Sequence, residues 1–172
     1  MIPSAKVIDP DEYRKDDNFR YNTEAKVYAE YLNELKNYDV VRLVGGGSAS
    51  GKSEVIVPEL IKLGGLILDT TLAKYESAKR AIDDVLSAGK KVEIHAVFTD
   101  LEIAAKFNTA RDREVPLATL KKRHTDFRQT ISRLAEEYQE IPIFIYLNTE
   151  DGVQEIKFPE RRDLIEFLAK MQ

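Results

Sequence analysis

The stretch Asp39-Val40-Val41-Arg42-Leu43-Val44-Gly45-Gly46-Gly47-Ser48-Ala49-Ser50-Gly51-Lys52-Ser53 decides the fold. It begins as a short β-branched run that stops at three glycines, the mark of a buried strand. Gly46, Gly47, Ser48, Ala49, Ser50, Gly51, Lys52 and Ser53 then fit the pattern G-x-x-x-x-G-K-[ST]. Glycines let the backbone curl until its N–H groups face a phosphate. The helix that follows adds its positive N-terminal end. Lys52 should reach the β- and γ-phosphates, and the Ser53 hydroxyl should bind Mg²⁺. The order strand, phosphate loop, helix predicts a site for a nucleoside triphosphate, ATP or GTP, with Mg²⁺ as its companion.

Outward from this stretch, strands and helices alternate. A helix is expected from Gly51 to Lys62, ended by Gly64-Gly65. Leu66-Ile67-Leu68 reads as a strand ending at Asp69. Residues 74–88 have Tyr75, Ala78, Ile82, Val85 and Leu86 at helical spacing. Val92 to Phe98 is a further strand, and Asp100 is a good N-cap for a helix to about Thr109. A long helix is expected over 117–138, a strand over Ile141 to Leu147, an edge strand over 153–158 and a last helix from Pro159. Before the phosphate loop, residues 4–8 suit a strand and 23–36 a helix. Alternation of this kind implies a three-layer α/β sandwich with a mainly parallel central sheet, covered on both faces. Ligands in such sheets bind at the carboxyl ends of the strands.

Length and composition narrow the function. At 172 residues the chain suits one domain over 1–172. Its 26 basic and 30 acidic residues give a net charge of −4, which offers nucleic acid no general attraction. Cysteine is absent, which removes disulfides and thiolate chemistry, and two histidines are too few for a His-rich metal site. No segment approaches the ~20 apolar residues of a membrane span. The N-terminus lacks a basic start followed by an apolar run, so a cytoplasmic protein is the default.

Asp69-Thr70-Thr71 puts a carboxylate and two hydroxyls just beyond a strand tip, beside the phosphate loop. A carboxylate there can take a proton from a substrate hydroxyl or hold Mg²⁺ through water; it can also simply cap the 74–88 helix. Arg111-Asp112-Arg113 lies between two helices, where arginines can neutralise a transferring phosphoryl group or form a solvated turn. Lys121-Lys122-Arg123 suits the wet face of its helix, His124 the apolar stripe, and Tyr28 and Tyr31 packing positions.

These features together resemble the zeta-toxin group of small P-loop kinases. The resemblance rests on the phosphate loop, on Leu66-Ile67-Leu68-Asp69-Thr70-Thr71-Leu72 and on Ala88-Gly89-Lys90-Lys91-Val92. Arg111-Asp112-Arg113-Glu114-Val115-Pro116 and Ile145-Tyr146-Leu147-Asn148 extend it over roughly residues 40–150. It implies transfer of a γ-phosphoryl group to a small-molecule hydroxyl, in that group the sugar of UDP-N-acetylglucosamine, and an antitoxin protein as a partner. By the same resemblance Asp69 and Thr71 are a substrate-side acid and hydroxyl, Arg111 and Arg113 are lid arginines, and Asn148 lies in the adenine-side loop. The implied catalytic set is Lys52, Asp69, Arg111 and Arg113.

That group carries Asp-x-Asp-x-x-Arg at the end of a strand after the phosphate-loop helix. Here the segment Asp9-Pro10-Asp11-Glu12-Tyr13-Arg14 stands before the loop. Two placements stay open. The unit 5–36 can enter the sheet in exchanged order, bringing Asp9 or Asp11 beside Lys52 as base or substrate-binding residue. Or it can be an extension packed outside. A function of a different class, a nucleotide-binding module or slow NTPase acting through a protein partner, also fits the phosphate loop alone.

If Arg111 or Arg113 stabilises the transition state, its replacement by Ala lowers kcat by more than it raises KM. Steady-state kinetics check this; a variant that loses only stability puts the arginine in an ion-pair network.

Overall fold

The structure is a computed structural model and describes residues 1–10, 23–46, 52–70, 72–100, 106 and 116–171. Its strands are β1 (Ala5–Ile8), β2 (Val40–Gly46), β3 (Gly65–Asp69), β4 (Lys91–Thr99), β5 (Ile143–Thr149) and β6 (Gly152–Ile156). The helices are α1 (Thr23–Leu35), α2 (Val57–Leu63), α3 (Tyr75–Ser87), α4 (Leu117–Glu137) and α5 (Arg161–Lys170). Among the described residues the strands form one sheet in the order β1-β3-β2-β4-β5-β6. Every pairing is parallel except β5 with β6.

Strand order and the right-handed crossover rule fix the layers. Connections that move toward β6 lay their helices on one face, and the connection from β2 back to β3 lays its helix on the other. On the first face, Ile8, Leu43, Leu66 and Ile94 of the sheet join Tyr31 of α1, Ile82 of α3, Phe127 and Ile131 of α4, and Leu164 of α5. On the second, Val44, Ile67 and Val97 pack against Ile56, Val57 and Leu60. The result is the three-layer α/β sandwich expected from the sequence.

The N-terminal unit lies in the sheet. Residues 5–8 pair in parallel with Gly65–Leu68, which makes β1 an edge strand beside β3. Helix α1 follows on the first face, where the buried Tyr31 hydroxyl donates to the Ala81 carbonyl of α3 at 2.8 Å. Burial raises the Tyr31 pKa further above its ordinary value. Tyr31 is thus a packing residue, and His124, 5% exposed on α4, also lies in the core.

Several local expectations need correction. The turn after the phosphate loop is π-helical over Lys52–Ile56, and the α-helix starts only at Val57. Strand β5 starts at Ile143 rather than Ile141, because Pro142 has no N–H for a ladder and contributes only its carbonyl, which accepts from Ile94. Helix α5 starts at Arg161, because Glu160 and Asp163 form a reciprocal capping box just beyond Pro159. Leu86 is 45% exposed; the buried stripe of α3 runs through Ala78, Ala81, Ile82 and Val85. The helix expected after Asp100 falls outside the described residues except for Lys106, which is helical. Among the described residues no helix is long and apolar enough to cross a membrane.

Tyr31→Phe keeps the ring and removes one buried hydroxyl bond between α1 and α3. It should cost about 0.5–1.5 kcal/mol, measured by urea unfolding; a larger loss would mean that the ring itself is displaced.

Candidate functional site

Strand β2 delivers the chain to the phosphate loop at Gly46, and β3 ends next to it at Asp69. The register pairs Val44 with Asp69, so the β3 tip lies beside the root of the loop. The Thr70 N–H donates to the Val44 carbonyl at 3.0 Å and extends this pairing past the strand end. Strand alternation puts Asp69 on the same face as Ile67, the face covered by α2 and the π-helical turn. Lys52 and Ser53 open that turn, so two adjacent side chains meet Asp69, which lies 16 residues beyond Ser53.

Asp69 is 4% exposed. Its Oδ2 accepts the Ser53 hydroxyl at 2.8 Å. Its Oδ1 lies 3.1 Å from the Lys52 ammonium. A buried carboxylate needs such partners, because burying an unpaired charge costs several kcal/mol. The same contacts suit phosphate chemistry. Ser53 and Asp69 are hard oxygen donors of the kind Mg²⁺ uses together with water and phosphate oxygens. Among the described residues no group of three or more His, Asp or Glu gathers as a metal cage. The hard oxygen donors of Ser53 and Asp69 fit Mg²⁺. Lys52 sets its ammonium against Asp69 and can turn from the carboxylate to an incoming phosphate.

Gly46 closes β2 opposite Val97. Gly47, Ser48, Ala49, Ser50, Gly51, Thr71, Asp11, Arg111 and Arg113 lie outside the described residues. Asn148 is 7% exposed near the end of β5, where its carbonyl accepts the Thr99 hydroxyl at 3.0 Å. It stands two strands from β2, on the same carboxyl-end side of the sheet. Extending the β1–β3 register by one residue brings Asp9 level with Asp69. Neighbouring strands lie about 4.8 Å apart, so Asp9 follows directly on the strand end beside that of β3. Lys122, on the wet face of α4, pairs with Asp126.

The residues missed in the sequence are Gly45, Leu72 and a polar row lower on the second face. Leu72 is 4% exposed and has φ +52°, a left-handed backbone unusual for leucine. It packs where Gly45 lacks a side chain. In the polar row Arg42 pairs with Glu93, whose carboxylate lies 3.7 Å from His95 Nε2, and His95 Nδ1 lies 2.9 Å from the Tyr146 hydroxyl. His95, reinforced by Arg42, holds the Glu93 carboxyl below its usual range against the opposing effect of burial. Burial, aided by Glu155 and Glu93, pushes the Tyr146 hydroxyl up to about 12. Alternation of Arg42, Glu93 and His95 with buried apolar neighbours was the available signal, since it marks polar groups on one sheet face.

Lys52→Ala leaves the Asp69 carboxylate buried with one partner fewer. The variant should fold but lose about 1–3 kcal/mol of stability, and Lys52→Ala/Asp69→Asn should regain part of that loss. Thermal melting of the ligand-free proteins checks this; an unchanged Lys52→Ala midpoint would mean that water already screens the pair.

Comparison with known proteins agrees with this architecture. Three solved structures of the AvrRxo1-ORF1:AvrRxo1-ORF2 complex share the fold at 12% sequence identity. The native complex gives a TM-score of 0.58, covering 91% of this chain and 76% of that one. The form with sulphate ions gives 0.59 with 88% and 74%, and the form with ATP gives 0.59 with 91% and 75%. No curated protein sequence matches the chain. Residues 60–157, from within α2 to just past β6, match the Zeta toxin family. That stretch is more than half of the chain, and the protein belongs to the zeta toxin family.

Proposed function

We propose that this protein is a phosphotransferase that moves the γ-phosphoryl group of ATP or GTP to a hydroxyl of a small molecule. The observation that carries the proposal is the meeting of Lys52 and Ser53 on the buried Asp69, at 3.1 and 2.8 Å. This brings a cation for phosphate, a metal-binding hydroxyl and a carboxylate to the carboxyl end of a parallel sheet. Family membership and the structure of the AvrRxo1-ORF1:AvrRxo1-ORF2 complex with ATP, which shares the fold, support it.

In this reading the backbone of Gly46 to Gly51 binds the phosphates and Lys52 orients the β- and γ-groups. Ser53 and Asp69 would hold Mg²⁺, which supplies charge neutralisation on the phosphates when bound. The acceptor oxygen bonds to the γ-phosphorus, the bond to the β,γ-bridging oxygen breaks, and the nucleoside diphosphate leaves. The acceptor proton passes to a carboxylate. Asp69 is the leading base, with Asp9 and Asp11 as competitors; the edge strand β1, which ends at Ile8 just before them, lies beside β3. Thr71 would contact the acceptor, Arg111 and Arg113 would steady charge from a lid, and Asn148 would border the adenine. A UDP-sugar is the acceptor class suggested by the family. The AvrRxo1-ORF1 structures contain a second protein, AvrRxo1-ORF2, which supports an antitoxin-like partner here. The cytoplasm, where ATP and Mg²⁺ are abundant, is the proposed place of action.

The test is ATP consumption with and without a pool of sugars, nucleosides and UDP-sugars. Consumption should depend on an acceptor and vanish in Lys52→Ala. Acceptor-independent turnover would support a slow NTPase instead, and unchanged turnover in Lys52→Ala would remove the phosphate loop from the reaction.

A further inference from the structure

Between β3 and α3, Thr70, Leu72 and Ala73 lie over the end of β2, with Leu72 on the face opposite α2. This short strap starts at the site, at Asp69, and is pinned at several points. Its Thr70 N–H donates to the Val44 carbonyl of β2 at 3.0 Å. Its Ala73 carbonyl accepts the Thr130 hydroxyl of α4 at 3.1 Å. Between them Leu72 holds a left-handed backbone, φ +52°, and buries its side chain to 4% exposure.

The Leu72 side chain fills the space above Gly45, the residue of β2 immediately before the phosphate loop. A Cβ on Gly45 would meet Leu72 Cδ1 at 2.5 Å, Cγ at 2.6 Å and Cβ at 2.7 Å. Gly45 is not among the glycines with positive φ, and it sits in the regular β2–β4 ladder opposite Ala96. Its backbone therefore places no demand for glycine. The demand comes from Leu72, whose own Cβ is already within the forbidden distance, so rotating the leucine side chain cannot make room. A leucine keeps a left-handed backbone only where its surroundings over-determine it. Here they do so between the acceptor-side carboxylate and the root of the phosphate loop.

We propose that Leu72 and Gly45 form a wedge that sets the height of Asp69 over the phosphate loop, making Leu72 a positioning residue for phosphoryl transfer. The proposal rests on the kinase reading for its catalytic consequence; the wedge itself does not. Gly45→Ala pushes the strap upward from Leu72, carrying Thr70 and Asp69 with it. Asp69 then leaves its place against Ser53 and Lys52, while the loop amides that hold the nucleotide remain. Leu72→Gly accepts the left-handed backbone without strain and opens the space that an alanine at position 45 needs.

The experiment compares wild type, Gly45→Ala, Leu72→Gly and the double variant. Three quantities are read: hydrogen exchange of the Thr70 amide, binding of a fluorescent ATP analogue, and kcat for acceptor phosphorylation. Gly45→Ala should speed Thr70 exchange and lower kcat by about tenfold or more, since displacements near 1 Å are costly to catalysis. Its affinity for the ATP analogue should stay within about threefold of wild type. Adding Leu72→Gly should recover several-fold of both the exchange protection and kcat. A role in packing alone predicts the opposite, with the double variant worse than Gly45→Ala in both. That result overturns the proposal, as does Gly45→Ala with unchanged Thr70 exchange. If wild type binds the analogue but phosphorylates no acceptor, the kinase reading fails while the exchange measurements still decide the wedge.

Discussion

The pairing of β2 with β3 is the constraint from which the site follows. Two parallel strands cannot be joined by a tight turn, so the chain must cross over a sheet face between them. Right-handedness decides which face. The crossover from β2 therefore places the π-helical turn and α2 on the side to which Asp69 points. Ser53 and Lys52 reach the carboxylate because the register pairs Val44 with Asp69. A shift of one residue in that register would turn Asp69 to the opposite face, away from Lys52 and Ser53.

The remaining layers answer the same rule in the other direction. Connections from β1 to β2, from β3 to β4 and from β4 to β5 all move toward β6, and their helices share the first face. They bury one continuous core in which Tyr31 ties α1 to α3 and the Tyr138 hydroxyl donates to Asp83 between α4 and α3. The second face has a smaller apolar patch and a row of polar groups, Arg42, Glu93, His95 and Tyr146. The larger apolar core thus lies on the face opposite Asp69, Lys52 and Ser53.

Much of this architecture was legible in the chain. The strand before the phosphate loop was marked by β-branched residues stopping at glycine, and α3 and α4 by their periodic apolar positions. Asp69 could be singled out because a carboxylate followed by two hydroxyls ended an apolar strand. Its contacts with Lys52 and Ser53 depend on strand register, which no local pattern encodes. The start of β5 was misplaced because the apolar run includes Ile141, whereas the ladder obeys the missing N–H of Pro142. Leu86 belongs to the right helix but lies at the margin of its buried stripe, where spacing alone does not separate inside from outside. Gly45 looked like one more loop glycine; its reason lies in a leucine distant in the chain and held in an unusual backbone conformation.

The edge position of β1 also orders events during synthesis. Among the described residues its strand partner is β3, some sixty residues further along, so β1 leaves the ribosome long before a ladder exists to receive it. Closing that loop carries an entropy cost that grows only slowly with length, but the pairing must wait for Gly65–Asp69 to emerge. The phosphate-loop strand acquires β3 and β4 on its two sides from later segments. Strand β1 is thus made before the sheet edge that receives it, and its pairing with β3 couples two distant parts of the chain.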